Sequence, residues 1–475
     1  MLYTVYTYQD WLKMGANEAA ARTIVTNYRN STFFFNALTA DRYFAGENPM
    51  LDDKWQLKVS SEEVRDADGF VTRKAVQKKV AGNRISSSFL RRFVLQQNQF
   101  LLGNGVTLDS PETKTRLGVG FDTVLQQIGE KALLHGVAYG YWNYDHLEAL
   151  PAAVDPLSGA CALLDEVTGA IGTVIQFWQL EPTRPLNVRV FEPDGVTWYT
   201  GDEQKQLVER EGKRPYKQLI RRDALGETVT GGENYGALPI FPLYANDEKR
   251  SELTASIRSK IDAYDRILSD YGDNLDRAND VYWVLNNFGG STNEALQVVQ
   301  QIQQLKLAMT VSDGSGGGST AEPRTIEVPY AARQTALELL EKALYSDFMA
   351  LSMDELTGGS LTNVAIQAAM TNINLKCDHY EWQCFNFVQS VLHLIGIDTE
   401  EIHFKRQSFS NRSETVQDIY AMRADIDLET ALRLNPYIEQ EDIDGIIKAK
   451  EAEDVTGLPN MNELQRVLDE GGDEA

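Results

Sequence analysis

At 475 residues, 43% hydrophobic and 24% charged, the chain has room for two or three domains around a substantial core and the make-up of an ordinary soluble protein. Its 45 basic and 69 acidic residues give a net charge of −24, which argues against tight nucleic-acid binding, because phosphate affinity is carried by Lys and Arg. No apolar run reaches the roughly 18 residues of a spanning helix, and the start, MLYTVYTYQDW, has no basic segment followed by an apolar one; neither secretion nor membrane spanning is expected. Cys161, Cys377 and Cys384 form no CxxC pair, which fits a reducing compartment. The histidines include no HExxH, and His379 is off the helical face of Cys377, so no metal ligand set and no cofactor are expected.

In chain order, residues 75–102 read as helix, with Val76, Val80, Ile85, Phe89, Phe93, Leu95 and Phe100 among polar residues and Gly103-Asn104-Gly105 as the stop. A second helix is predicted from Phe121 to Val137, ending near Gly136, with a strand from Tyr139 to Tyr144. Short β-rich runs follow, TVIQFWQL (173–180), NVRVFEP (187–193), VTWYT (196–200) and KQLIRRD (217–223), punctuated by Gly, Pro, Asp and Asn. The fold class is therefore α+β.

After Pro242 comes a helix on which Ile257, Ile261, Tyr264, Leu268, Tyr271 and Leu275 recur at alternating spacings of four and three, a stripe about 80° wide that suits a helix or subunit seam. Asp262, Asp265, Asp273, Asp276 and Asp280 form a second stripe about 120° away. These carboxylates face solvent, a neighbour's bases or a water-filled channel; sequence alone leaves the three open. A small β/α insertion follows: VYWVLNNF (281–288), a helix at 293–307, AMTVS (308–312) and RTIEVPY (324–330). Within it DGSGGGST carries Gly314, Gly316, Gly317 and Gly318, a flexible tip; a phosphate loop would need Lys where Gly318 stands.

Helix returns from Ala331 to Ser352, pauses over MDELTGGSLTN (353–363) and resumes in the longest stripe of the chain: Ile366, Met370, Ile373, Cys377, Tyr380, Cys384, Phe387, Val391 and Leu394. The two cysteines in it belong to packing. Gly396 ends that helix, Ile402 to Phe404 reads as strand, and helices are predicted at 413–434 and 439–453 before an acidic tail.

This order of elements resembles the portal proteins of tailed phages, and most closely those of long-tailed phages of Gram-positive hosts. The stretch carrying most of the likeness is 235–285, with Gly236-x-x-Pro239-Ile240, an Asn-containing strand end, Ile261-Asp-Ala-Tyr264 and Ser269-Asp270. LRRFVLQQNQFLLGNGV (90–106) and EKALLHGVAYGYW (130–142) add to it. The resemblance implies a wing (1–245), stem helices (246–280 and 331–352), a clip (281–330) with the glycine tip, a tunnel loop (353–363), a long helix returning to the wing (364–409) and a crown with acidic tail (410–475). It assigns Thr357, Gly358, Gly359, Ser360, Leu361, Thr362 and Asn363 to the channel and the Asp stripe to the stem. It also implies a ring of about twelve copies at one capsid vertex. Double-stranded DNA would pass through it; terminase, a head-tail adaptor, and major capsid and scaffolding proteins would be its partners, with no membrane. An acidic passage would let DNA slide without sticking. Such a protein is a virion component, assembled in the host cytoplasm, and not an enzyme. Two other readings are a hydrolase using Asp262 and Asp265, for which no catalytic signature is present, and a capsid-associated scaffolding or interaction module without a conduit.

Overall fold

The computed structural model describes residues 4–52, 55–65, 71–201, 206–223, 226–278, 282–286, 320–324, 330–352, 362–398, 400–406, 412–422, 426–438, 443 and 445–448. It divides into a unit of residues 1–350 and 375–407 and a unit of residues 351–374 and 408–475.

The larger unit opens with helices α1 (Tyr8–Lys13), α2 (Glu18–Arg29) and α3 (Thr32–Ala45). A short polar side chain starts each by accepting a first-turn amide: Thr7 in a reciprocal capping box with Asp10, Asn17 from Ala20, Ser31 from Phe34. The hairpin β1 (Trp55–Arg65) and β2 (Val71–Ala81) follows, in register from Trp55↔Ala81 to Arg65↔Val71. Helix was expected from residue 75; instead residues 71–81 are strand, and α4 spans Phe89–Leu102. The four-residue spacing of Val76 and Val80 suits a helix, but both are β-branched, and Asp68-Gly69 supplies hairpin-turn chemistry between two alternating runs.

Next come β3 (Val106–Leu108), α5 (Pro111–Leu117) and α6 (Phe121–His135). Strands β4 (Val137–Asn143) and β5 (His146–Pro151) form a three-stranded sheet with β14 (Ile240–Tyr244), β4 in the centre. Strands β6 (Ala153–Asp155), β7 (Ser158–Leu164), β8 (Ile171–Trp178), β9 (Leu186–Glu192), β10 (Gly195–Gly201) and β11 (Leu207–Arg214) make an antiparallel meander in sequential order. β12 (Lys217–Asp223) and β13 (Gly226–Glu233) form a separate hairpin. The β-rich runs expected at 173–180, 187–193, 196–200 and 217–223 thus fall on β8, β9, β10 and β12.

Alternation decides which face of the meander is covered: Leu186, Val188 and Val190 of β9 are buried while Asn187 and Arg189 between them are not. That inner face joins Trp11, Ile24, Tyr28 and Phe34 of the first helices in one apolar cluster. Tyr28 stands edge-on to Phe34 (5.4 Å between ring centroids) and to Phe177 (6.0 Å), and its hydroxyl donates to the Ala152 carbonyl (3.0 Å). Each such aromatic contributes about 1.5–3 kcal/mol of burial.

A second cluster is helical, with Phe89, Phe93 and Val94 of α4, Leu125 and Ile128 of α6, and Tyr380, Cys384, Phe387 and Val391 of the long helix α9 (Asn363–Leu394). Every member of the long apolar stripe is buried except Leu394, which is half-buried, and Cys377 and Cys384 are core residues. The larger unit also holds α7 (Ala255–Ala278), the hairpin of β15 (Tyr282–Asn286) and β16 (Thr320–Arg324), α8 (Tyr330–Phe348), and β17 (Ile402–Phe404), which pairs with β3. Of the strand expected at 324–330, Arg324 ends β16 and residues 325–329 are outside the described residues. The helix expected at 293–307, the strand at 308–312 and the glycines of the tip are outside the described residues.

In the smaller unit, α9 begins with Ile366, Met370 and Ile373 buried, and the Asn363 amide donates to Glu414 (2.7 Å). The helix expected at 413–434 is two, α10 (Arg412–Ala421) and α11 (Leu428–Leu434), the second started by Asp427 accepting from Thr430. Most of 439–453 is outside the described residues.

Candidate functional site

The segments that carry the family likeness meet at the base of α7. Asn246 folds the loop after β14: its Nδ2 donates to Arg250 O (2.9 Å), its Oδ1 accepts from Arg250 N (3.1 Å), and Lys249 takes φ +57° between them. The loop is tied to α6 by Ala245 N donating to Gly136 O (3.1 Å) and Glu252 N to Leu133 O (2.9 Å). Gly136, the left-handed residue that ends α6, has φ +91°, and a Cβ there would stand 2.9 Å from Lys249 O. Only glycine satisfies both the backbone angle and the close approach.

Lys376 of α9 closes this base. Its ammonium lies 2.8 Å from Glu252, donates to the Phe348 carbonyl at the end of α8 (2.9 Å) and sits over the Phe348 ring. Burial lowers its pKa from the usual lysine value, opposed by the Glu252 carboxylate. One buried cation thus joins the start of α7, the end of α8 and the middle of α9.

The acidic stripe of α7 is engaged with its own chain over the described residues. Residues 82–88, without regular structure, run along the helix in the opposite direction. Ser87 N donates to Asp265 (2.9 Å), Ile85 N to Ser269 Oγ (3.0 Å) and Asn83 N to Asp273 (2.7 Å). Alternate amides of an extended strap are about 6.6 Å apart and helix positions i and i+4 about 6 Å, so the two repeats stay in step. Asp265 and Ser269 are fully buried, Asp273 nearly so. Asp265 also accepts from Asn48 Nδ2, and Asp262 accepts from the Tyr43 hydroxyl. Burial raises the Asp265 pKa; the bonds from Ser87 and Asn48 oppose that. An open acidic face was one of the readings for this stripe; here Asp262, Asp265 and Asp273 grip the strap and its neighbours. The Asp276 side chain and all of Asp280 are outside the described residues.

The apolar stripe divides along its length. Ile257 and Ile261 are buried in the core, Tyr264 is edge-on to Phe89 (4.9 Å), and Leu268 is half-buried. Farther on, Tyr271 meets Tyr330 of α8 edge-on (5.8 Å), and Leu275 is exposed. Helices α7 and α8 therefore pair, with Lys260 and Ser256 of one holding Asp347 of the other. Hydrogen bonds from Lys260 and Ser256 keep the Asp347 carboxyl below its usual pKa. At the base of α8, Phe348 stacks on Phe93 (4.6 Å) and Tyr345 stands edge-on to it (5.2 Å). The rest of α8 is largely uncovered, and Leu339 is 64% exposed.

Of the residues assigned to the tunnel loop, Thr357 to Leu361 are outside the described residues, as are Gly314, Gly316, Gly317 and Gly318. Thr362 is exposed and accepts from Ala365 N (3.3 Å), starting α9, of which Asn363 is the first residue. Sequence reasoning missed Lys376, Glu252, Asn48 and the strap. Lys376 sits beside an apolar stripe like any snorkelling lysine, and main-chain donors such as those at 83, 85 and 87 leave no residue pattern.

Residues 27–456 match the family described as phage portal protein, SPP1 Gp6-like. A portal protein of Clostridium phage phiCD119 is 24% identical over 220 residues, 45% of this chain and 48% of that protein. A portal protein of Bacillus phage SPP1 is 23% identical over 421 residues, 82% of this chain and 80% of that protein. The chain thus spans about half of the first relative and four fifths of the second. With a match that runs through nearly every element described above, the chain belongs to the phage portal protein family.

Proposed function

We propose that the chain is the subunit of a closed ring, of about twelve copies, that passes double-stranded DNA through one capsid vertex. The observation that carries this reading is the α7–α8 pair: it rises from a base fixed by Gly136, Asn246 and Lys376, yet exposes Leu275 and Leu339. Helices anchored so firmly at one end and uncovered beyond it suit lateral packing against copies of themselves.

In this reading residues 1–245 are the wing, 246–280 and 331–352 the stem, 281–330 the clip, 353–363 the tunnel loop, 364–409 the returning helix and 410–475 the crown. The β15–β16 hairpin would belong to the clip, which would dock terminase and later the head-tail adaptor. The loop around Gly358 and Gly359 has no Lys or Arg and would touch DNA without trapping phosphate. Because Asp262, Asp265 and Asp273 hold their own chain, an acidic stem face would fall to Asp276 and Asp280. Major capsid and scaffolding proteins would surround the ring in the virion, after assembly in the host cytoplasm, and no catalytic role is assigned.

Light scattering on the purified chain tests this. A single species near twelve times the 53.2 kDa subunit mass is expected. A monomer at every salt concentration, with capsid protein present as well, would contradict it and favour an interaction module without a conduit.

A further inference from the structure

Away from the stem, Asp109, Glu401 and His403 bring three potential ligand atoms within 4.8 Å of one another. The β3–β17 ladder creates this cluster. Its register is Val106↔Phe404, Thr107↔His403 and Leu108↔Ile402; Asp109 and Glu401 follow directly beyond its last pair, and His403 lies two residues from Glu401. Glu400 braces the other side by accepting from Ser110 N (2.6 Å) and Thr113 Oγ1 (3.1 Å).

Two features separate this cluster from an ordinary charged surface. Two carboxylates within 4.8 Å of each other repel, and among the described residues no Lys or Arg forms an ion pair with Asp109 or Glu401. Further, one imidazole nitrogen, His403 Nε2, faces both carboxylates, 3.7 Å from Asp109 and 3.6 Å from Glu401. Both separations exceed a hydrogen bond and lie a few tenths of an ångström beyond the roughly 3.3–3.4 Å edge of a tetrahedron of metal ligands. With the two carboxylate oxygens no more than 4.8 Å apart, a point about 2.4 Å from all three atoms exists, and a small rotation of these exposed side chains brings them to the roughly 2.0–2.2 Å of nitrogen and oxygen ligands.

We propose that Asp109, Glu401 and His403 bind a divalent transition-metal ion, of the Zn2+ or Mn2+ class, with water completing the coordination. One nitrogen and two carboxylate ligands select this class over Mg2+, which prefers oxygen throughout. The ion would clip residues after α9 to those after α4, across nearly three hundred positions of sequence.

Titration calorimetry of the full chain with Zn2+ and with Mn2+, in excess Mg2+, tests the site. One equivalent per chain is expected to bind. Asp109→Asn, Glu401→Gln and His403→Ala should each weaken it by about tenfold or more, a loss at least as large as that from disturbing a ligand's support. His393→Ala removes another exposed imidazole beside a carboxylate, Asp398, and should leave binding unchanged. All four residues are exposed, so the variants should fold, which circular dichroism checks. No saturable binding above Mg2+, binding that survives His403→Ala and Asp109→Asn, or equal loss in His393→Ala would overturn the proposal.

Discussion

Gly136 shows how a residue in a family motif can be read from sequence while its reason cannot. Its place in the stretch EKALLHGVAYGYW (130–142) is plain, but the need for it comes from a backbone angle of +91° and from Lys249 O, more than a hundred residues away. Gly136→Ala should cost about 1–3 kcal/mol, read as a lower urea midpoint with an unchanged slope. Asp265 makes the complementary case: the sequence placed it on an acidic stripe, and the fold buries it beneath Asn48 and Ser87. Asp265→Ala leaves both donors without their acceptor and should cost about 2 kcal/mol. At neutral pH Asp265→Asn should change stability by less than about 0.5 kcal/mol, because Asn48 can turn its amide and offer Oδ1, which has no partner now, to the new amide. Burial raises the Asp265 pKa above its ordinary 3.8, so the folded state binds this proton more tightly than the unfolded one. The wild type should therefore gain on Asp265→Asn as pH falls through the raised value, keep that gain in full below the unfolded value, and lose it as pH rises. Equal midpoints for the two proteins across that range would show that Asp265 carries no such cost.

At the level of elements, the long periodic helices were legible and the extended segments less so. The stripe of α9 was readable because the same spacing is buried in turn after turn of the helix. Part of the β1–β2 hairpin reads as helix in the sequence, since valines four apart fit both periods when the pairing partner is not considered. The strap of residues 82–88 was invisible, because its bonds to α7 are made by main-chain amides that any sequence supplies. Spacing also hid Asp109 from Glu401 and His403, which only the β3–β17 register brings together. Helix α8 carries the next prediction. Its outward Leu339 makes little contact within the chain, so Leu339→Asp should shift unfolding by less than about 0.5 kcal/mol. If α8 forms the ring seam, the same change should convert assembled protein to smaller species in sedimentation. Full-sized rings from Leu339→Asp would move the seam elsewhere.

For the whole molecule, each unit has its own construction. In the larger one, an antiparallel meander covered by N-terminal helices and a helical core around α4, α6 and α9 support the base from which α7 and α8 rise. The strap, the Asn246 loop and Lys376 make that base rigid, while the paired helices beyond it keep apolar side chains in the open. A fixed base with uncovered helices suits the ring subunit proposed above. Electron microscopy of the purified full-length chain tests this most directly. Class averages should show closed rings with cyclic symmetry of about twelve and a hole on the axis. Monomers, open filaments or closed particles without an axial hole would contradict it.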